Sequence, residues 1–592
     1  MKNIWYQVWT SFWKHKWTFG RVFFSISAII GIVIVPLFRI ISGLAQRADD
    51  LPFLALSNFG STLIENPIFT SALVVIILMV LLFFVIQLLS YAGSFKAIVE
   101  GQKPTTFGAF RFAFNRVRKI GISGNFLVLL YGLIVLPFPM LTFHSQLTNY
   151  LKIPAFVLPT ILSTPWMITS LTILGVIALY FAIRLFYVLP ELSLNTNSSK
   201  IAIHNSWAKT RGKNGWALLI RLGLGSLIIG ALTLIGFGLT WGVQFLADKY
   251  VPGDYTILVA FFTFTFATLI NLFNSLVAVH FILNLMSEDY SAVSLTDFKS
   301  KRFVIRFIVS TTLIVSLLIQ GLEPSVVFVL NTANRHLNSY SHRGVDNGNG
   351  VQNTIPALQV TVKKAHPDYV EMDIRQTKDG KWAVMHDPNL STLTKGASNK
   401  GISDLTLAQA TSLTVYENGH SAKIPSFADY AAEAKKLGVK LLVEIKTERT
   451  NASDLADSFL KQFKSLMTEQ NWDMHSLNYS VVQRLKTLDT KMKVGMILPG
   501  NFLGEPVTKA DFYTMEYSFL NRQQVENLHE RGKRVLAWTV DDSDAMVSTY
   551  AQGVNGEITD DISTLQSVLK DTNAAQLMHQ KLGVYIVNVL GD

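Results

Sequence analysis

The hydropathy pattern of the chain changes once, near residue 330. Before it, long apolar stretches recur near residues 22–44, 69–93, 124–143, 166–190, 216–246, 256–286 and 304–323. Each is long enough to cross about 30 Å of hydrocarbon as a helix. The fifth and sixth exceed what one crossing needs, which leaves their edges open. After it, short β-rich runs alternate with amphipathic stretches such as Ser426–Leu437 and Ser453–Glu469. The predicted strands are Leu337–Ser341, Tyr369–Ile374, Trp382–Met385, Lys440–Ile445, Lys493–Leu498, Phe512–Tyr517, Arg534–Val540 and Gly556–Thr559. Such alternation predicts a parallel α/β barrel of the TIM type, with its chemistry at the C-terminal ends of the strands. The expected architecture is therefore an α-helical multi-span membrane domain over residues 1–330 and a TIM-barrel-like domain over residues 331–592.

One connection departs from the alternation. Between Ile374 and Trp382 there is no room for a crossover helix, whereas Asp379-Gly380 is a two-residue hairpin signal. That turn predicts a register placing Asp373 opposite His386, with Glu371 on the same face because side chains alternate by two.

Charge follows the same division. Residues 1–330 carry 24 Lys/Arg and 11 Asp/Glu, a net +13, so residues 331–592 keep 28 and 30, a net −2. A nucleic-acid binder would place its basic residues on the soluble part, so that class is disfavoured. The N-terminal segment and the loops at 94–121, 191–215 and 287–306 hold 18 Lys/Arg. The intervening loops hold only Arg47, Lys152 and Lys249. Basic loops stay on the cytoplasmic side, so the N-terminus is expected inside, and seven crossings place the barrel outside. The first apolar stretch follows Lys14, Lys16 and Arg21 like a signal peptide, but six further stretches favour a retained helix. The stripe Trp5, Trp9, Phe12, Trp13 and Trp17 and the segment Phe95–Lys119 are expected along the inner membrane surface. Arg39, Arg184 and Arg221, near the ends of apolar stretches, read as snorkelling side chains. The absence of cysteine excludes disulfides, thiolate metal sites and a cysteine nucleophile.

The candidate chemistry lies in the second half. Glu371, Asp373 and Glu444 are hard oxygen donors, which favours Mg²⁺ or Ca²⁺ over zinc. Arg343 and Lys446 suit phosphate oxygens, one as a fork and one as a point charge. His342 and His386 titrate near neutrality and suit proton transfer on either side of phosphorus. Taken singly, His-Arg-Gly is a turn, Glu-x-Asp a solvated strand face and Glu-Ile-Lys a surface pair. Their joint occurrence at strand ends points to metal-assisted chemistry on a phosphate.

The ordered set His342-Arg343-Gly344, Asn353-Thr354, Tyr369-Val-Glu371-Met-Asp373, Thr377-Lys-Asp-Gly380, Val384-Met-His386-Asp387, Val443-Glu444-Ile-Lys446, Trp538-Thr539-Val540 and Ile558-Thr559-Asp560 resembles the glycerophosphodiester phosphodiesterase family. The first half resembles the membrane domain fused to that enzyme in Gram-positive bacteria. The resemblance implies a distorted TIM barrel cleaving glycerophosphodiesters to glycerol 3-phosphate and an alcohol. It implies Glu371, Asp373 and Glu444 as metal carboxylates, His342 and His386 as acid/base groups, and Arg343 and Lys446 as phosphate contacts. It also implies that the glycerol hydroxyl beside the phosphate attacks, through a cyclic phosphate. Trp538 would lie beneath the glycerol, the alternative being a core tryptophan. One position departs: the family has Glu before Asn-Thr, and this chain has Gln352.

The expected substrates are lipid-headgroup diesters or teichoic-acid-like glycerol-phosphate polymers, reached from the bilayer. The alternatives are lysophospholipase D-type cleavage by the same site, a non-catalytic lipid- or envelope-binding protein, and a transport role for the helices.

Overall fold

The computed structural model describes residues 2–49, 51, 59–135, 157–162, 164–195, 197–252, 254–287, 336–447, 452–500 and 506–574, with positions 311, 315, 578–579, 582–583 and 585–586. Among them are six helices long and apolar enough to cross a membrane: Val8–Ala48, Pro67–Val99, Thr106–Val135, Pro165–Asn195, Lys213–Tyr250 and Tyr255–Ser287. They correspond to the first six predicted stretches, and the seventh, 304–323, lies outside the described residues except for positions 311 and 315. Pro67 and Pro165 open their helices where a missing N–H goes unused.

The two surface segments differ from each other. Lys2–Ile29 runs through a π-turn at Ile30–Ile34 into Val35–Ala48, so the tryptophan stripe extends the first spanning helix instead of forming a separate surface helix. The helix Thr106–Val135 breaks at Gly121, whose φ of 65° takes it out of helical geometry. The break separates the Phe/Arg-rich segment from the apolar segment that follows it.

The second half is a closed barrel. Its wall comprises β1 (Asn338–Ser341), β2 (Tyr369–Gln376), β6 (Lys440–Ile445), β7 (Asp473–Ser476), β8 (Val494–Leu498), β9 (Phe512–Glu516), β10 (Arg534–Trp538) and β11 (Gly556–Thr559). These eight strands are parallel, and β1 closes the ring by pairing with both β11 and β2. Alternate residues point inward. Tyr340, Tyr369, Leu442, Phe512, Leu536 and Ile558 form an apolar plug inside, with Tyr340 stacked on Tyr369 at 4.5 Å. Opposite-facing residues such as Val370, Met372, Leu441, Val443 and Met474 pack with the outer helices in the larger core. The plug fills the N-terminal part of the barrel, which leaves inward positions further along each strand for polar groups.

Two elements differ from expectation. β3 (Trp382–Val384) is not a wall strand; it runs antiparallel to the end of β2. Its place in the wall is taken by β7, four residues with no apolar run to announce them. The hairpin register is also one residue off the prediction. Ile374 pairs with Val384 and Gln376 with Trp382, so Asp373 faces Met385, whose N–H it receives at 2.9 Å. The cause is a three-residue loop, Lys378–Gly380, closed by Gly380 at φ 72°, in place of the two-residue turn. Between β3 and the helix Phe427–Leu437, the hairpin β4 (Thr414–Glu417) and β5 (His420–Lys423) belongs to a lobe with its own small core around Leu390, Ile402 and Val415.

The plug tolerates little added volume. A Cβ on Gly495 would lie 2.1 Å from the Phe512 ring. Gly495→Ala is expected to lower stability by about 1–3 kcal/mol, measured by chemical denaturation followed through tryptophan fluorescence.

Candidate active site

The His-Arg-Gly turn at the end of β1 begins the site. Arg343 takes a left-handed backbone (φ 53°), which turns its N–H onto Glu371 Oε2 at 3.1 Å. Gly344 also has positive φ, and a Cβ there would meet the Tyr430 hydroxyl at 2.5 Å. The motif is therefore a turn, as its residues alone suggest, but one aimed at a carboxylate.

From β2, Glu371 and Asp373 point inward two residues apart; from β6, Glu444 lies beside Asp373 in register. All three are buried. Lys446 Nζ sits 3.0 Å from Asp373 Oδ1 and 2.8 Å from Glu444 Oε1. Asn353 clamps Asp373 twice, donating to its Oδ2 at 2.7 Å and accepting its backbone N–H at 3.1 Å. Burial alone would raise the Asp373 pKa, but Lys446, Arg343 and His386 hold it well below the usual carboxylate range. Burial raises that of Glu444 against the pull of Lys446, with Asp373 adding to the rise. Burial disfavours charge on Lys446, yet Asp373 and Glu444 hold its pKa above the usual value.

β7 supplies a residue that the sequence reading missed. His475 is buried, and its Nε2 lies 3.5 Å from Glu371 Oε1 without a hydrogen-bond partner. Its Nδ1 lies 3.1 Å from Thr514 Oγ1. Glu371, Glu444 and His475 each bring a ligand atom within 4.8 Å of the others. Two buried carboxylates and an unpartnered imidazole nitrogen facing one point suit a divalent cation. The available signal was arithmetic: once the antiparallel strand leaves the wall, an eight-stranded barrel lacks one strand between Ile445 and Lys493.

Each predicted acid/base histidine has its own carboxylate. His342 Nδ1 lies 2.9 Å from Asp560 Oδ1 at the end of β11, and His386 Nδ1 lies 2.9 Å from Asp387 Oδ1. Burial disfavours the imidazolium of His342, but Asp560 outweighs it and raises the pKa. Trp538 borders the apolar plug and donates its indole N–H to Thr514 O at 3.2 Å.

Gln352 lies in a relay. Its Oε1 accepts from Arg343 at 2.5 Å, and its Nε2 donates to Glu417 Oε1 at 2.6 Å. Glu417 also accepts the Gln352 backbone N–H at 2.9 Å. The amide orients the arginine, and the negative charge missing at position 352 is present one step away, on the β4–β5 hairpin.

A closed parallel barrel with buried carboxylates, two carboxylate-backed histidines and two phosphate-suited cations defines a metal-assisted phosphodiester hydrolase. Residues 5–322 match the model of the membrane domain of glycerophosphoryl diester phosphodiesterase, and residues 342–564 match that of the glycerophosphoryl diester phosphodiesterase family. The chain belongs to this membrane-anchored family, and it is a glycerophosphodiester phosphodiesterase by activity. A glycerophosphodiester phosphodiesterase of Caldanaerobacter subterraneus is 25% identical over 239 residues, 39% of this chain and 96% of that one. YhdW of Bacillus subtilis is 28% identical over 234 residues, 37% and 93% of the two chains. A solved glycerophosphodiester phosphodiesterase from Parabacteroides distasonis aligns with 40% of this chain and 98% of its own, at 24% identity and a TM-score of 0.36.

Two outcomes are expected from these contacts. Asp560→Asn removes the carboxylate that favours the imidazolium, so the His342 pKa falls; the limb it governs in a pH–rate profile moves to lower pH. Restoring the family's carboxylate with Gln352→Glu sets two acids within hydrogen-bond distance of each other. It is expected to lower kcat/KM at least about 10-fold, with recovery in the double variant Gln352→Glu/Glu417→Gln, because like charges in contact repel.

Proposed function

We propose that the barrel within residues 331–592 forms the catalytic unit, held on the outer face of the membrane by residues 1–330 and by a C-terminal tail that packs among their helices. Glu371, Asp373 and Glu444 are its metal carboxylates, His342 and His386 its proton carriers, and Arg343 and Lys446 its phosphate contacts. The observation that carries this reading is the convergence of two carboxylate-backed histidines on the mouth that holds the buried carboxylates. With each Nδ1 engaged by a carboxylate, Nε2 is left to take or give a proton. Cleavage of a phosphodiester needs one proton removed from the attacking hydroxyl and one delivered to the leaving alcohol. One histidine serves each need, and the roles reverse when water opens the cyclic phosphate.

The donor set suits Mg²⁺ or Ca²⁺ through its carboxylates, and His475 adds a nitrogen that tolerates Mn²⁺ as well. A divalent cation bound there would polarise a phosphoryl oxygen and offset charge gained in the transition state. Arg343 and Lys446 would neutralise the remaining phosphate oxygens, and Trp538 would form an apolar floor for the glycerol.

The outward placement rests on the 18-to-3 loop asymmetry and on a crossing at 304–323. It is supported from the other end of the chain. His579 N and Nδ1 both lie 2.7 Å from Asp248 Oδ2, beside the weakly basic loop that the asymmetry assigns to the outside.

Glu371→Ala is expected to abolish glycerol 3-phosphate release from glycerophosphocholine and the calorimetric signal of metal binding; retention of both would refute the assignment. His475→Gln is expected to weaken metal binding about 10–100-fold, and Mn²⁺ more than Ca²⁺, in the same titration.

A further inference from the structure

The barrel is tied to the membrane domain by two segments, and strand direction dictates where both attach. The chain enters β1 at Asn338 and reaches His342 at the opposite end, so the N-terminal tether joins the end of the barrel away from the site. At the other terminus, Asp560 stands at the mouth beside His342, and the helix Ile562–Ala574 follows it. A following helix runs antiparallel to its strand in a parallel barrel, and thirteen residues at 1.5 Å return the chain about 20 Å to the N-terminal end.

The chain then meets the membrane domain. Four residues past Ala574, Met578 is buried against the bundle, and four residues reach at most about 14 Å. The His579 ring stands edge-on to Trp241 at 5.4 Å and to Phe245 at 5.1 Å, beside its contact with Asp248. Leu582, Tyr585 and Ile586 are buried with Phe237, Ala260, Phe264 and Ala267, and the Tyr585 hydroxyl is 2.5 Å from Thr268 Oγ1. Thr268 lies fourteen residues into its helix from Asp254, a depth of about 21 Å. The tail thus enters the bundle between helices Lys213–Tyr250 and Asp254–Ser287, starting from their shared loop.

Resting on the function proposed above, we infer that the catalytic mouth faces away from the bilayer. It takes unacylated glycerophosphodiester groups from the aqueous phase beyond the membrane surface, and not headgroups of its own bilayer. The four residues from Ala574 to the buried Met578 hold the N-terminal end of the barrel near the membrane, so His342, His386 and the carboxylates stand one barrel height, about 20 Å, further out. A headgroup in the same leaflet lies on the wrong side of the plug formed by Tyr340, Tyr369 and Phe512. Two sources present the required group at that height: free glycerophosphodiesters and the ends of glycerol-phosphate polymers.

The absence of cysteine in the chain makes a direct test simple. In the full chain reconstituted in vesicles, Lys493→Cys labels the exposed start of β8, and His420→Cys labels the exposed hairpin next to the site. A fluorophore at position 493 is expected to be quenched by headgroup-attached quencher at least about threefold more than one at position 420. Equal or reversed quenching would overturn the inference. In parallel, glycerol 3-phosphate release would be followed from soluble glycerophosphocholine, from a glycerol-phosphate oligomer, and from lysophosphatidylcholine either in the same bilayer or in detergent micelles. The expected result is turnover of at least one soluble substrate, with same-bilayer lysolipid at least about 100-fold slower than either. The two soluble arms decide between the sources. Same-bilayer turnover matching the micellar rate, or exceeding that of both soluble substrates, would overturn the orientation while sparing the activity. Loss of turnover in every arm would instead overturn the function on which it rests.

Discussion

Carboxylates removed from water must be matched by positive charge or hydrogen-bond donors, and the mouth of this barrel is arranged around that demand. Asp373 is the best matched, with Lys446, Arg343 and both ends of the Asn353 amide around it. Glu444 shares Lys446 with it. Glu371 receives one backbone N–H, and the nearby His475 nitrogen has no hydrogen-bond partner. Compensation therefore runs down from one side of the site to the other. A cation held among Glu371, Glu444 and His475 would complete it.

The motif residues were legible in the sequence because each sits next to an apolar strand, where alternation reveals which side chains share a face. Glu371 and Asp373 could be placed together on that ground alone. The finer geometry was hidden wherever a short element lacked its usual signature. β7 has no apolar run, so its strand went unread and His475 went with it. Asp379-Gly380 has the composition of a two-residue turn, but the left-handed Gly380 closes a longer loop and shifts the pairing by one. Glu417 could not be linked to Gln352 from spacing, since 65 residues and an inserted lobe separate them.

The membrane half was legible at the level of span positions, because hydropathy is summed over many residues. Its internal packing was not. The apolar tail Leu582–Leu590 reads from sequence either as a last barrel helix or as a second membrane contact, and the partners Phe237, Ala260 and Phe264 favour the second for Leu582, Tyr585 and Ile586. The N-terminal tryptophans likewise read as a surface stripe until the unbroken helix Lys2–Ile29 joins them to the first span.

His342 and Asp560 are 218 positions apart, one on the first strand of the barrel and one at the end of the last. Their contact straddles the seam where the ring closes. The last wall strand must pair with the first before this histidine gains its carboxylate. A chain that stops short of β11 therefore holds Glu371, Asp373, Glu444 and His475 but leaves His342 without its carboxylate. The pairing of His342 with a carboxylate is thereby coupled to closure of the ring, so this part of the mouth is assembled only in the complete barrel.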